Sequence, residues 1–317
     1  MSKIKVAVLG YGHLGKWHCQ KADGLDQADL VAIVEPFEAN AKIAKENHPN
    51  AKVVGDIKDV MDEIDAAIIV TPTSTHFKLT KQLLENNKHV FCEKPLCSTF
   101  AEVQNLKPLL NDGKIVQVGH SERCHKAWEI LKEEFSKINS AFSVDLNRYA
   151  SFKGRATDVD VVQDLMIHDL DLVMFLFNKK PTRLKAYGHK IRTGKWDHAT
   201  CILEYADGSH ARITSGRNSV KEVRAMDIMH DGGCINIDLF ANTYGVATAS
   251  QFEDGSYVKE QEYEKRDHLL IEHNNFYNAI NGTEKEMVTF QDGADIVYLI
   301  DKVIESLDKK DFVKLSY

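Results

Sequence analysis

The feature that most constrains the fold is a glycine-rich turn between an apolar strand pattern and an amphipathic helix. The strand pattern Lys5–Leu9 leads directly into the turn, which reads G-x-G-x-x-G. Glycines at this spacing permit a tight turn, close approach of a pyrophosphate and close packing of helix on strand, while the helix N-terminus offers N–H groups to the anion. The turn predicts dinucleotide binding, and an ordinary glycine-rich turn of an unrelated α/β protein is the alternative. The predicted contacts in the turn are Gly10, Gly12, His13, Leu14 and Gly15.

An acidic residue at the end of the second strand pattern indicates which dinucleotide is bound. Glu35 lies 25 residues after Gly10, near the offset of the acid that holds the adenosine ribose hydroxyls. A carboxylate at this position repels a 2′-phosphate, and the following Pro36 and Phe37 bring no compensating arginine. The sequence therefore predicts NAD, with NADP disfavoured. A solvent-facing glutamate at a strand end is the alternative.

The first third of the chain alternates short apolar runs with longer amphipathic ones, which is typical of a parallel sheet covered by crossover helices. The predicted strands are Ile4–Leu9, Leu30–Val34, Ala66–Val70, Val90–Cys92 and Ile115–Val118. The predicted helices are His13–Ala22, Glu38–Asn47, Thr75–Asn86 and Thr99–Leu110. This pattern predicts an NAD-binding Rossmann domain with a doubly wound parallel sheet over residues 1–121.

Residues 122–317 follow a different pattern. A helix near 122–135, a long strand at Ala141–Ala150 and an apolar helix at Val161–Phe177 precede consecutive strand patterns that continue to about residue 264. Strands without intervening helices indicate an antiparallel sheet. We therefore expect an α/β protein whose second domain is α+β, with a large, mostly antiparallel open sheet. Because only two helices follow the strands, we expect this substrate domain to form a homodimer or homotetramer through the sheet.

Composition excludes several classes of protein. The net charge of -7 disfavours nucleic-acid binding, and no apolar run approaches the ~20 residues of a membrane span. Six scattered cysteines without a Cys-x-x-Cys pair predict neither a zinc site nor a disulfide framework, and without a His-x-x-x-His pair we expect no metal. The N-terminal residues lack the pattern of a secretory signal, so we expect a cytoplasmic protein.

Three further motifs make a family resemblance specific. They are Thr71-Pro72-Thr73-Ser74-Thr75-His76, Glu93-Lys94-Pro95 and Asp164-Leu165-Met166-Ile167-His168. With the glycine turn, and in this order over essentially the whole chain, they resemble the Gfo/Idh/MocA oxidoreductase family. The resemblance implies an NAD(P)-dependent dehydrogenase acting on CH–OH groups of a sugar or nucleotide sugar.

Within that family, one subset is more similar. The stretches 118–123 and 164–171 resemble dehydrogenases that oxidise the 3-hydroxyl of UDP-N-acetylglucosamine to a 3-keto sugar. The chain departs from many other members by lacking a Gly-Gly pair just before Asp164. The alternatives are oxidation or reduction of another small ligand (inositol, a free sugar, a dihydrodiol or a pyrrole pigment) and a non-catalytic NAD-binding regulator.

The candidate catalytic residues are Lys94, Asp164 and His168. Oxidation of an alcohol requires a base for the hydroxyl proton and stabilisation of the developing oxyanion. Lys94 follows a strand at the sheet edge where nicotinamide is expected, while Asp164 and His168 lie four apart on an apolar helix. The sequence leaves open whether Lys94 or His168 takes the proton. The alternatives are a surface lysine and a buried Asp–His pair with a structural role.

The remaining predicted contacts fall into two groups. On the cofactor side are Thr71, Pro72, Thr73, His76, Glu93 and Lys94, although a structural helix start with Thr75 as N-cap also accounts for the first of these stretches. On the substrate side are Arg123, Lys153, Arg155, Asp164 and His168. The three cations are the best-placed partners for the phosphates of a nucleotide sugar, and solvated surface charges are the alternative.

Overall fold

A computed structural model describes residues 3–110, 113–154 and 159–317. The chain divides into two compact units. The first extends to Ser121 and also contains Asp267–Val297, and the second consists of Glu122–Arg266 and Tyr298–Tyr317. This division differs from the predicted domains, 1–121 and 122–317, because the segment Asp267–Val297 belongs to the first unit.

The first unit contains a six-stranded sheet in the order β3-β2-β1-β4-β5-β6, with every pair parallel. The strands are β1 Ile4–Leu9, β2 Ala28–Val34, β3 Lys52–Val54, β4 Ala66–Ile69, β5 His89–Glu93 and β6 Val116–Gly119. The helices between them are α1 His13–Gly24, α2 Glu38–Asn47, α3 Thr73–Glu85 and α4 Phe100–Leu106, with 3₁₀ turns at Ile57–Glu63 and Lys107–Leu109. The order reverses between β1 and β4, where doubly wound sheets bind their ligands. The sequence did not predict the short strand β3.

Both faces of this sheet are buried, which explains why its strands are almost continuously apolar. Along β1, Val6 and Val8 pack into one core, whereas Ala7 and Leu9 pack into the other. Residues 267–297 contribute to both cores, through Phe276 on one face and Val297 on the other. Their apolar side chains complete the first unit, so this segment groups with it in the fold.

The second unit contains a nine-stranded sheet in the order β14-β13-β12-β11-β7-β10-β9-β8-β15. Its strands are β7 Ser143–Tyr149, β8 Arg183–His189, β9 His198–Glu204, β10 His210–Gly216, β11 Val223–His230, β12 Gly233–Asp238, β13 Thr243–Thr248, β14 Val258–Glu262 and β15 Val313–Lys314. The pair β7–β10 is parallel and the other pairs are antiparallel. The predicted fold class, an α/β chain with a large, mostly antiparallel second sheet, is confirmed.

The helices differ from prediction in two places. Instead of one helix near 122–135, the chain forms a 3₁₀ turn at Ser121–Cys124 and two short helices, α5 Ala127–Ile130 and α6 Lys132–Ser136. The turn surrounds Glu122, whose carbonyl accepts the Trp128 indole N–H at 2.8 Å. The predicted helix at 161–177 begins as a π-helical turn, Val162–Met166, and continues as α7 Ile167–Phe177. The last helices are α8 His268–Ile280 and α9 Phe290–Lys309.

Two kinds of feature are absent from the described residues. No helix among them is long and apolar enough to cross a membrane. In residues 3–110, 113–154 and 159–317, no group of three or more His, Cys, Asp or Glu side chains is arranged to hold a metal ion.

Candidate active site

Two positions of the glycine turn after β1 accept only glycine. Gly10 has φ +97°, and a Cβ added there would lie 2.5 Å from the Val70 carbonyl oxygen. A Cβ on Gly15 would lie 2.1 Å from the Gly10 oxygen. Gly12, the residue before α1, has open space where its Cβ would be, and no side chain caps the helix there. The turn therefore fits an anion such as a pyrophosphate.

His13 and Leu14 open helix α1 and are both exposed, Leu14 by 41%. They lie on the surface of the same turn, as expected for neighbours of a bound dinucleotide. Their exposure is compatible with the predicted cofactor contacts.

Glu35 is not the solvent-facing residue that one interpretation of the sequence allowed. Its side chain is 5% exposed, and its carboxylate accepts the backbone N–H of Tyr11 at 2.8 Å and that of Phe37 at 2.9 Å. It therefore joins the glycine turn to the loop after β2. This structural role could not be predicted from the sequence offset alone, because the offset gives no hydrogen-bond partner.

The loop after β4 is tied to the loop after β5 by His76, which is 1% exposed. Its Nδ1 lies 2.7 Å from the Pro95 carbonyl oxygen and its Nε2 lies 2.9 Å from the Thr71 carbonyl oxygen. Because both partners are acceptors, the two contacts are hydrogen bonds only when both ring nitrogens carry hydrogen. His76 was predicted to line the cofactor side, and its buried ring contacts a backbone carbonyl of each loop.

The first turn of α3 also differs from the structural alternative considered for it. The helix begins at Thr73 with Pro72 at the N-cap position, so Thr75 lies inside the helix. The Thr75 hydroxyl donates to the Pro72 carbonyl at 2.8 Å and lies 2.6 Å from the Thr71 hydroxyl. Thr71, Thr73 and Thr75 remain half-buried.

Lys94 follows β5 and is half-buried, and the peptide bond to Pro95 is cis. Its backbone N–H donates to Oε2 of Glu93 at 3.2 Å. Oε1 of Glu93 lies 3.1 Å from Nε2 of the buried His18. Glu93 was predicted as a cofactor contact, and the structure gives both of its carboxylate oxygens partners within the protein.

In the second unit, Asp164 and His168 flank the change from π-helix to α-helix. The Ile167 N–H donates to the Val162 carbonyl five residues earlier, so the spacing between Asp164 and His168 spans a wider turn than an α-helix has. Both side chains are half-buried. Such single π turns occur frequently at functional sites.

Asp164 lines a cavity of about 70 Å³ in the second unit. Its cationic lining residues are Arg148, Lys153, Arg217 and Arg224. Arg217 is paired with buried Asp197 at 2.9 Å, and Lys153, half-exposed, lies 2.8 Å from Glu222. The cavity therefore brings several cations together, each with a carboxylate neighbour. Arg155, a predicted phosphate contact, lies outside the described residues.

A buried ionic cluster shares Arg148 and Arg224 with the lining of this cavity. Glu122 accepts hydrogen bonds from Arg148 at 3.1 Å, Arg224 at 3.3 Å and, through its other oxygen, His125 at 3.1 Å. Burial opposes ionisation of Glu122, but the charge of Arg148 and the hydrogen bond from His125 hold its pKa well below the usual range. Arg148 also makes a bidentate pair with Asp169.

The sequence reasoning missed this cluster, although a signal for it was present. Arg148 occupies an inward position of β7, in alternation with the buried Val144 and Leu146. A charged residue in the buried register of a strand requires a charged partner. That requirement could have directed attention to Glu122 and Asp169.

Arg123 does not have the environment that was predicted for it. Its guanidinium makes a bidentate pair with Asp171, at 2.6 Å for the shortest contact, and lies over the Phe175 ring. Both charged side chains are almost completely buried. The guanidinium is therefore neutralised within the protein, and we do not assign it to the substrate.

Comparison with known proteins identifies the family. A model described as "Oxidoreductase family, NAD-binding Rossmann fold" matches residues 4–120, and the GFO/IDH/MocA C-terminal domain matches residues 135–236. The chain belongs to the GFO/IDH/MocA oxidoreductase family. The resemblance drawn from its motifs is confirmed, and so is NAD as the cofactor of the first unit.

Two relatives of this oxidoreductase differ in substrate. UDP-N-acetylglucosamine 3-dehydrogenase from Acidithiobacillus ferrooxidans is 31% identical over 286 residues, which cover 88% of this chain and 90% of that protein. Its solved structure has a TM-score of 0.87, with 98% of this chain and 99% of that chain covered. Myo-inositol 2-dehydrogenase from Thermotoga maritima is 25% identical over 99% of both chains.

Proposed function

We propose that this oxidoreductase transfers a hydride from the 3-hydroxyl carbon of UDP-N-acetylglucosamine to NAD, giving a 3-keto sugar. The observation that carries the proposal is the 31% identity to the Acidithiobacillus ferrooxidans 3-dehydrogenase, which extends over 88% of the chain. Such coverage includes residues from both compact units, and therefore more than a shared dinucleotide-binding fold.

The cofactor is assigned to the first unit. Gly10, Gly12 and Gly15 would hold the pyrophosphate, while Glu35, next to the turn, would face the adenosine ribose. Bound NAD supplies the hydride acceptor. The exposed His13 and Leu14 would flank it.

The protein's own part in the reaction is to move a proton and to stabilise charge. His168 is assigned to accept the hydroxyl proton of the substrate, because a neutral imidazole is an effective base near neutral pH. Lys94 is assigned to stabilise the negative charge that develops as the alcohol is oxidised. Asp164, on the turn before His168, is assigned to orient the substrate. Lys94 belongs to the first unit, and Asp164 and His168 belong to the second.

The cationic side chains around the cavity beside Asp164 are assigned to the phosphates of the substrate, because the cavity itself, at about 70 Å³, is smaller than a nucleotide. The two phosphates need cations, and Lys153 and Arg224 are the cationic lining residues with side chains at least 45% exposed. Binding energy from the remote nucleotide would position the sugar, so its removal should lower turnover as well as affinity. Each cation has a carboxylate neighbour, Glu222 or Glu122, with which the phosphates would compete.

Oxidation of an inositol is the second candidate, favoured by the coverage of 99% of both chains in the match to the Thermotoga maritima enzyme. NADH formation should be measured side by side with UDP-N-acetylglucosamine, free N-acetylglucosamine and myo-inositol. A carbonyl-trapping reagent is included, because oxidation of an alcohol by NAD is unfavourable near neutral pH. We expect turnover with the UDP-sugar and little with the other two. Oxidation of inositol or the free sugar with an inert UDP-sugar would contradict the proposal.

A further inference from the structure

Four side chains of the first unit form a continuous hydrogen-bonded row that the proposed chemistry does not use. Nε2 of His18 on α1 lies 3.1 Å from Oε1 of Glu93 at the end of β5. Nδ1 of His18 lies 2.9 Å from Nε2 of His273 on α8, and Nδ1 of His273 lies 3.2 Å from the Tyr277 hydroxyl. His18, His273 and Tyr277 are all fully buried.

The end group of the row determines where His18 carries a hydrogen. Ionised Glu93 can only accept, so Nε2 of His18 carries a hydrogen and donates. One nitrogen of the contact between Nδ1 of His18 and Nε2 of His273 must also carry a hydrogen, because two nitrogen lone pairs would repel each other. Burial, with the charges of His18 and Lys21, lowers the pKa of His273 well below its usual value, and burial raises that of Tyr277. His273 has a hydrogen-bond partner at each of its ring nitrogens and is therefore held in place within the row.

The carboxylate at the end of the row is fixed from three sides. Its second oxygen accepts the Lys94 backbone N–H at 3.2 Å. A Cβ on Gly119 would lie 2.9 Å from Oε1, so glycine at that position of β6 leaves the space that the carboxylate occupies. Burial opposes ionisation of Glu93, but the hydrogen bond and charge of His18 and the charge of Lys94 together lower its pKa.

We propose that His18, held by His273 and Tyr277, is a positioning residue for Lys94 that acts through the carboxylate of Glu93. The row fixes the orientation of Glu93, and Glu93 fixes the backbone amide and the local charge at Lys94. The titratable groups in hydrogen-bond contact with His18 are Glu93 and His273, and Lys21, on the same helix, adds a positive charge that acts on His273. The inference rests on the proposed function, which assigns Lys94 to the chemistry.

Two substitutions of His18 separate positioning from a merely structural role. In His18→Gln the amide nitrogen reaches the place of Nε2 and can still donate to Glu93, whereas in His18→Asn it reaches only the place of Nδ1. We expect His18→Asn to lower kcat on the order of 10²-fold, since small displacements near the reacting atoms have such effects. His18→Gln should retain most of kcat. NAD affinity should be unchanged in both.

His48→Asn is the matched control, because His48 is also buried in the first unit and also pairs with a carboxylate, that of Asp23 at 3.1 Å. It should leave kcat unchanged. Equal kcat values for the two His18 variants, or an equal loss in the His48 variant, would overturn the inference. If Lys94→Ala retains full turnover, the proposed function fails; if it is inactive while His18→Asn matches the unmodified enzyme, only this inference fails.

A second measurement uses the unmodified protein and so does not depend on the folding of any variant. Long-range ¹⁵N NMR of the imidazole rings should find a hydrogen on Nε2 of His18, the nitrogen that faces Glu93. A His18 with its only hydrogen on Nδ1 would overturn the proposal, because Nε2 could then not donate to Glu93.

Discussion

Replacement of Glu35 by glutamine tests two roles of one carboxylate at once. The side chain is 5% exposed and accepts the backbone N–H groups of Tyr11 and Phe37 at 2.8 and 2.9 Å. Glutamine has one oxygen and one amide NH₂, so at least one of these backbone donors then faces another donor. A hydrogen bond to a charged group contributes about 1.5–3 kcal/mol to stability.

The expected loss of stability follows from that figure. A change of 1 kcal/mol shifts the melting temperature by about 2–4 °C in a domain of roughly 150–250 residues. We therefore expect Glu35→Gln to lower the melting temperature by ~3–12 °C. Glu38→Gln, three residues further on and exposed, is the matched control and should cause almost no change.

The same substitution should alter cofactor preference. Removal of the negative charge removes repulsion toward a 2′-phosphate, and the loosened glycine turn weakens binding of both dinucleotides. The ratio of NADP to NAD dissociation constants, from calorimetric titration, should fall at least ~10-fold, since each 1.4 kcal/mol corresponds to a factor of ten. An unchanged melting temperature together with an unchanged ratio would refute both roles.

Three further expectations follow from the site, a buried histidine and the open sheet. Lys94→Ala and His168→Ala should each lower turnover by roughly 10²–10⁴-fold with nearly unchanged NAD affinity. Lys78→Ala and His210→Ala, at exposed positions, are the controls. Normal turnover in both site variants would mean that the active site is misassigned. Burial and the charge of Lys114, opposed by Asp65, lower the pKa of His89 to about 4 in the folded protein. As pH falls, the unfolded chain therefore takes up a proton at His89 before the folded chain does. Stability should therefore be lost as pH falls from about 6.5 toward 4; thermal unfolding at several pH values should find a smaller loss in His89→Gln, and an equal loss would exclude His89 as a cause. Light scattering at micromolar concentration should give a dimer or tetramer of the 35.8 kDa chain, and a monomer would count against assembly through the open sheet.

The fold could be predicted well from the sequence because its periodicities are strong. The run Ala66–Ile69 is apolar at every position, as a strand buried on both faces must be, and the strands of the second unit alternate. Residues 267–297 were harder to assign to a domain, because an amphipathic helix such as α8 indicates that one face is buried but not which sheet that face packs against. The π turn at Val162–Met166 leaves no periodic signal of its own.

The site could be predicted where the spacing of a sequence motif determines which residues lie close together. The glycine turn and Glu35 are adjacent in the structure, as the spacing indicated. Arg123 shows the opposite case: its charge was visible in the sequence, but its partner Asp171 lies 48 residues away and could be found only in the fold. His18 and His273 were likewise missed, because they are 255 residues apart along the chain.

Isotope transfer from a defined carbon tests the central claim most directly. UDP-N-acetylglucosamine carrying deuterium at C3 of the sugar is incubated with the enzyme, NAD and a carbonyl-trapping reagent, and the reduced cofactor is analysed by mass spectrometry. The account predicts NADH that is one mass unit heavier and a trapped 3-keto sugar. Unlabelled NADH from the labelled sugar, or an inert UDP-sugar in an enzyme preparation that reduces NAD with myo-inositol, would contradict it.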